Sequence, residues 1–317
     1  MSCTALLVGD GPVRHVTAEE ATNYQGAGFV WLHIDNEDEP SLSLFAGQQI
    51  PEVAANALVA TETRPRCDRI EEGAILNLRG PAVEGVDVSD RLVSIRMWAR
   101  AGKVNSLTRR PLTATATVVA QMKAGEILDP GDLVAAYARA ISKQLDPQVA
   151  ELGDELDDCE TQLESHNIYR LRGMITRIRS EAIAFRRFVA PDRDALQTLA
   201  QIDFPWLAEE DRLHIREAAD RFARMAEELE AVRERSALLH EQLTDLRAEE
   251  IDQRSLLISV VAFIFLPLTF ITGLLGMNVE GIPYKNEPWA FWGVCGFCVV
   301  VGAGVLAWFA RRHWLKR

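Results

Sequence analysis

The chain has 317 residues, with 34 Lys/Arg against 46 Asp/Glu, a net charge of −12 and a pI near 5.1, a balance that argues against a general nucleic-acid binder. Its five cysteines, an odd number scattered along the chain, form no disulfide scaffold, and the start MSCTALLVGDGPVRH lacks the basic flank and apolar run of a secretory signal. The charge is unevenly spread: residues 1–254 carry 29 basic and 44 acidic residues, whereas residues 255–317 carry 5 and 2.

The first part, 1–128, reads as a small α/β domain. Strands are predicted at Phe29–Asp35, Ala74–Arg79 and Arg91–Trp98, with Lys103–Thr108 following an Ala101-Gly102 turn. A helix with breaks at Gly47 and Pro51 is predicted over Ser41–Ala60. From residue 129 to 207 the strands give way to helices. Asp129-Pro130 is a helix start signal, and helices are expected over about 131–164, 168–189 and 192–202, broken at Asn167 and Pro191.

From 208 the pattern changes again. Apolar residues recur at Ile215, Ala218, Phe222, Met225, Leu229, Val232, Leu239, Leu243 and Leu246, in alternating steps of three and four with Ser236 in the gap. This is a heptad seam. It is covered either by helices of the same chain or by other copies of it. Neither proline nor glycine occurs between Pro205 and Pro267, so one helix from 208 to 275 is predicted, about 100 Å long.

That helix runs into LLISVVAFIFLPLTFITGLL, residues 256–275, and a second charge-free run, WAFWGVCGFCVVVGAGVLAWFA, fills 289–310. Each is long enough to span a bilayer. Arg247 and Arg254 precede the first span, and Arg311, Arg312, Lys316 and Arg317 follow the second. The 276–288 turn offers Lys285 against Glu280 and Glu287. The positive-inside rule then places both termini, including the basic tail 311–317, in the cytoplasm and the turn outside. Trp289, Trp292, Trp308 and Trp314 sit at the ends of the second span as interfacial anchors.

One face of the first span is unlike the others. Asp252, Ser255, Ser259, Ala262, Leu266, Thr269 and Gly273 follow one another at helical spacing, and all but Leu266 are small or polar. In lipid such a stripe marks either a helix–helix contact or a wall facing water. Two spans cannot enclose an ion path, so transport requires several copies. The carbonyl freed by Pro267 either faces that path or lies at a plain kink.

Sites for other chemistry are weak. Cys295-x-x-Cys298 resembles half a zinc site but lies within the second span without further ligands nearby, which fits packing better than metal binding. His33 and Asp35 share a strand face and are secondary candidates for an intracellular metal contact against a structural role. Cys67 has no partner by position, and His166, His214 and His240 are too dispersed for a ligand pair. No His-Glu-x-x-His, Walker lysine or glycine-rich nucleotide loop occurs. The chain is expected to be no enzyme and to need no cofactor, so any solute moves down an ion gradient.

Leu266 to Asn278 reads LPLTFITGLLGMN. It resembles the end of the first transmembrane helix in the CorA superfamily of metal ion transporters, and Gly276-Met277-Asn278 matches the superfamily's tripeptide. Within the superfamily the chain is similar to the zinc-transporting ZntB branch. The turn from Gly276 through Val279-Glu280-Gly281-Ile282-Pro283 carries that similarity, as do Thr63 to Arg66 with Arg69, Glu72, Gly73 and Arg79, and Arg186 to Asp194. The resemblance implies an α/β cytoplasmic domain, a long stalk helix and two transmembrane helices, assembled with itself into a funnel-shaped homopentamer in the bacterial inner membrane. It implies transport of Zn2+, with CorA-like transport of Mg2+ or Co2+ as the alternative. Proton coupling is implied by the resemblance alone. It also implies that Asn278 rings the outer mouth and touches a hydrated cation, that Thr269 faces the pore, and that Leu266 forms an apolar constriction. Asp252 would be the first acidic residue at the inner mouth. A membrane-anchored cytoplasmic sensor is the reading that would leave the tripeptide idle.

Overall fold

The computed structural model describes residues 3–9, 11–35, 45, 50–61, 64–83, 92–163, 168–282, 284 and 287–314. Residues 41–44 and 46–49 of the helix predicted over Ser41–Ala60, together with Thr63, Arg91, His166, Asn167, Pro283, Lys285, Lys316 and Arg317, lie outside these residues. The chain divides into two units, Met1–His240 and Glu241–Arg317.

In the first unit seven strands form one sheet: β1 (Cys3–Val8), β2 (Arg14–His15), β3 (Phe29–Asp35), β4 (Arg66–Ile70), β5 (Gly73–Pro81), β6 (Leu92–Arg100) and β7 (Lys103–Thr108). Their order is β2-β1-β3-β7-β6-β5-β4, and every pairing is antiparallel except β3 with β7. Two of the predicted strands, β3 and β7, have the predicted limits. β1, β2 and β4 were not expected. β4 reads RCDRI, an edge strand with charged, exposed side chains and no apolar alternation to betray it.

Helices cover both sheet faces, which is why β3 is buried almost end to end. On one face Val30, Leu32, Ile34, Ile75, Trp98 and Leu107 pack with Ala21 of α1 (Ala18–Asn23) and with Ala54 and Leu58 of α2 (Glu52–Val59). A capping box starts α1: the Glu20 N–H donates to Thr17 Oγ1 at 3.1 Å, and the Thr17 N–H to Glu20 Oε2 at 2.8 Å. On the other face Trp31 meets Tyr137 edge-on, with ring centroids 6.0 Å apart. Gly28 allows β1 and β3 to approach at their turn, because a Cβ there would lie 2.0 Å from the Val8 carbonyl oxygen and its φ is +91°.

Tyr137 belongs to α4 (Pro130–Thr161), which follows α3 (Thr113–Lys123), a helix absent from the sequence reading. α5 (Ile168–Gln201) is continuous through Pro191, where a break was expected. A proline removes one helical hydrogen bond. Apolar residues buried on both sides of it, Phe185 and Val189 before and Leu196 and Leu199 after, hold the two halves in register.

α6 (Glu209–Leu275) is the predicted long helix. Its seam from Ile215 to Leu239 is buried within the chain itself, so the chain's own helices cover it there. Ion pairs bind α4, α5 and α6 along their rims: Arg177 to Glu155 at 2.7 Å, Arg186 to Glu230 at 2.8 Å and Arg235 to Glu160 at 2.8 Å. Leu246, further along, is 39% exposed.

The second unit holds the end of α6 and α7 (Ala290–Trp314). Both carry stretches long and apolar enough to cross a membrane.

Candidate functional site

Stepping 100° per residue sets Ser255, Ser259, Ala262, Leu266, Thr269 and Gly273 within about a third of the circumference of α6. All are exposed, as are Asp252, Gly276, Met277 and Asn278. Leu266, at 77%, is among the most exposed large apolar residues of the unit. The half-buried residues Val260, Ile264, Leu268 and Ile271 lie on the opposite side of the helix. α7 packs there: a Cβ on Gly302 would come 3.9 Å from Ile264 Cγ2. α7 therefore covers the back of α6 and leaves the small-residue stripe open.

The packing face of α7 is formed by Val294, Cys295, Cys298, Val301, Gly302 and Val305, all half-buried. Cys295 and Cys298 are free thiols on that face. Their spacing of three is the helical spacing of the contact itself, which is the packing role rather than a ligand pair.

Hydroxyls near the stripe are satisfied by their own helix. Ser259 Oγ donates to the Ser255 carbonyl at 2.9 Å, and Thr272 Oγ1 to that of Leu268 at 3.0 Å. Such groups add polarity to an apolar span without binding neighbours strongly. Pro267 leaves α6 unbroken. The helix ends where the Gly276 N–H donates to the Thr272 carbonyl at 2.9 Å. A Cβ on Gly276 would sit 3.1 Å from that same oxygen, so glycine suits the tight final turn. Met277 and Asn278 emerge directly beyond it.

His33 and Asp35 belong to the first unit. His33 is fully buried, with Nδ1 2.8 Å from Ser106 Oγ and Nε2 2.8 Å from Asp35 Oδ1. Trp31 Nε1 donates to the same Ser106 oxygen at 2.8 Å, and Thr108 Oγ1 to Asp35 at 2.8 Å. The proton order that satisfies every group runs from Trp31 to Ser106, from Ser106 to His33 Nδ1, and from His33 Nε2 to Asp35. Both ring nitrogens are thus engaged by protein groups. Burial pushes the Asp35 carboxyl upward, but the bonds from His33 and Thr108 outweigh it and hold it below its ordinary value.

A cluster that sequence reasoning missed joins the first turns of α4 and α6. Asp129, Asp132 and Asp211 bring carboxylate oxygens within 4.8 Å of one another, the one such grouping of potential metal ligands among the described residues. Asp129 caps α4 by accepting the Asp132 N–H at 2.9 Å, and Asp211 accepts the Ala208 N–H at 2.9 Å. Burial, then the negative charge of Asp129, pushes the Asp211 carboxyl up to about 7. Asp129-Pro130 was legible as a helix start, but nothing local in the sequence links it to Asp211.

The sequence profile of one family, CorA-like Mg2+ transporter protein, matches residues 26–312. The zinc transport protein ZntB of Pectobacterium atrosepticum is 30% identical over 311 residues, which cover 98% of this chain and 94% of that one. The full-length CmaX protein superimposes with a TM-score of 0.79 at 29% identity, covering 98% of this chain and 97% of its own. The fold is also that of the complete CorA magnesium transporter from Methanocaldococcus jannaschii, with a TM-score of 0.83 at 17% identity and 98% of each chain covered.

Proposed function

This chain belongs to the CorA-like Mg2+ transporter family, and we propose that it carries Zn2+ across the bacterial inner membrane through the central pore of a homopentamer. It is a divalent cation transporter and not an enzyme, and it resides in a membrane. The observation that carries the proposal is the open stripe on α6, backed by α7 and ending at Gly276-Met277-Asn278.

Five copies of α6 arranged about an axis turn their stripes inward and their α7 helices toward lipid. Ser255, Ser259, Ala262 and Thr269 then line a path that is polar enough to wet and offers no fixed charge to trap an ion. Leu266 narrows it with an apolar ring. Five Asn278 carboxamides at the outer mouth hold a cation through its water shell. Such binding is weak enough to release the ion, whereas a desolvated carboxylate ring would bind tightly and cost more to bury. Asp252 receives the ion at the inner mouth. Both termini are cytoplasmic and the 276–288 turn is outside, as the basic flanks direct.

Zinc is favoured by the likeness to a zinc transport protein along nearly the whole chain. The pore face itself offers no sulfur or nitrogen ligand to prefer zinc, so selectivity rests on how many waters the outer ring lets the ion keep. Retention of Met277 within the tripeptide supports a second reading, a pathway for Mg2+ or Co2+. The deciding experiment is uptake into proteoliposomes loaded with zinc- or magnesium-sensitive dye, at matched ion concentrations and with pH gradients of either sign. Zinc entry that responds to the gradient is the expected result. Fast magnesium entry with negligible zinc signal would replace the ion, and indifference to the gradient would remove proton coupling.

A further inference from the structure

In the first unit, β5, β6, the segments after α2 and β7, and α5 converge on a cavity of about 650 Å³. Six arginines line it: Arg64, Arg79, Arg96, Arg109, Arg110 and Arg187. No element of the transport reading uses them. Strand register explains part of the convergence. Arg79 of β5 pairs with Ser94 of β6, Arg96 lies two residues further on the same face, and Arg96 pairs with Leu107, two residues before Arg109.

Backbone carbonyls and one ring orient the guanidinium groups. Arg79 Nε and Nη2 donate to the Leu92 carbonyl at 3.3 Å, Arg96 Nη1 to that of Leu58 at 3.1 Å, and Arg109 Nη2 to that of Ala60 at 3.4 Å. Arg79 stacks over Phe188, 3.9 Å from the ring centroid, and Arg187 lies 5.7 Å from the same ring. Among the described residues neither Arg64 nor Arg187 has a carboxylate within ion-pair distance. Arginine stays charged at every physiological pH, and each planar fork carries five donors, more than one carbonyl bond or one ion pair uses.

Six guanidinium groups gathered in one concavity, with Arg64 and Arg187 exposed on its wall and unmatched by a carboxylate among the described residues, make a site for anions. The volume is that of a small-molecule site and far exceeds one phosphate group. Guanidinium forks match phosphate oxygens two at a time, and the Thr61 and Ser94 side chains on the cavity wall add hydroxyl donors. We propose that this cavity binds a polyphosphate anion, a run of linked phosphate groups with three or more negative charges, as in an inorganic chain or the tail of a nucleotide. The proposal is independent of which cation the chain transports.

The test is calorimetric titration of the full chain in detergent, free of divalent cations and at fixed salt, with tripolyphosphate, ATP and sulfate. Tripolyphosphate should saturate one site per chain and bind at least about tenfold more tightly than sulfate. ATP binding of similar strength would assign the site to a nucleotide tail; tripolyphosphate binding without ATP binding would assign it to inorganic chains. Arg64 and Arg187 are exposed. The Arg64→Ala/Arg187→Ala double variant should therefore keep its ligand-free melting temperature while losing at least about tenfold in affinity. Arg216→Ala, an exposed change on α6 outside the cavity, should match the wild type. No saturable tripolyphosphate binding, equal binding of sulfate, or a double variant that binds like Arg216→Ala would overturn the proposal.

Discussion

Gly131 is the neighbour that makes room for the Asp211 carboxylate: a Cβ at position 131 would lie 2.1 Å from Asp211 Oδ2. The two residues stand in the first turns of α4 and α6, so the glycine sets how closely those helix starts approach. Gly131→Ala must push Asp211 off the Ala208 N–H that it caps. Loss of such a cap costs about 1–2 kcal/mol. The expected outcome is a melting temperature lower by a few degrees, measured by circular dichroism on the detergent-solubilised chain.

Asp211 also makes stability depend on pH, with a definite sign. Its carboxyl in the folded chain is pushed up to about 7, whereas an unfolded aspartate titrates near ~3.9. Between those values the folded chain holds a proton that the unfolded chain has lost. Stability from this group therefore falls as pH rises through the window, and the full penalty is present above about 7. Asp211→Asn keeps an oxygen for the Ala208 N–H and removes the charge. It should be more stable than the wild type at pH 8, by on the order of 1–3 kcal/mol, and match it near pH 4. Equal differences at both pH values would refute the assignment.

Ser106→Ala tests the proton order around His33. The change leaves the Trp31 N–H and His33 Nδ1 without their shared partner in a fully buried setting. Each unsatisfied group costs about 1–3 kcal/mol. A destabilisation of several kcal/mol is expected in denaturant unfolding, with a change in tryptophan fluorescence. Added zinc should restore none of the loss, because Ser106 and Asp35 already engage both ring nitrogens of His33.

Asn278→Ala removes the oxygens proposed to hold the ion's water shell while leaving the α6–α7 packing face untouched. Cation flux into proteoliposomes should fall by about tenfold or more, and mass measurement should still count five chains. Leu266→Asp, placed in the proposed apolar ring, should instead alter gating, seen as leak without the loss of capture. Wild-type flux in Asn278→Ala, or a stable monomer in detergent, would defeat the pore reading.

The sequence by itself determined those features that depend on neighbours along the chain. Two charge-free runs of membrane length, the stripe from Ser255 to Gly273 and the seam from Ile215 onward are periodicities, and periodicity fixes which side of a helix a residue occupies. β3 was legible as an apolar run, and β7 from the Ala101-Gly102 turn that precedes it. The edge strand β4 was not, because an exposed strand carries no apolar signal. Only the tertiary structure decided that α5 runs through Pro191, because packing on either side outweighs one lost hydrogen bond. It also decided that α7 covers the back of α6 and that His33 is closed off by Ser106 and Asp35. The approach of Asp129 to Asp211 and the gathering of six arginines belong to the same class. These juxtapositions join segments distant in sequence, and their positions follow from which apolar faces bury one another rather than from the residues that end up side by side.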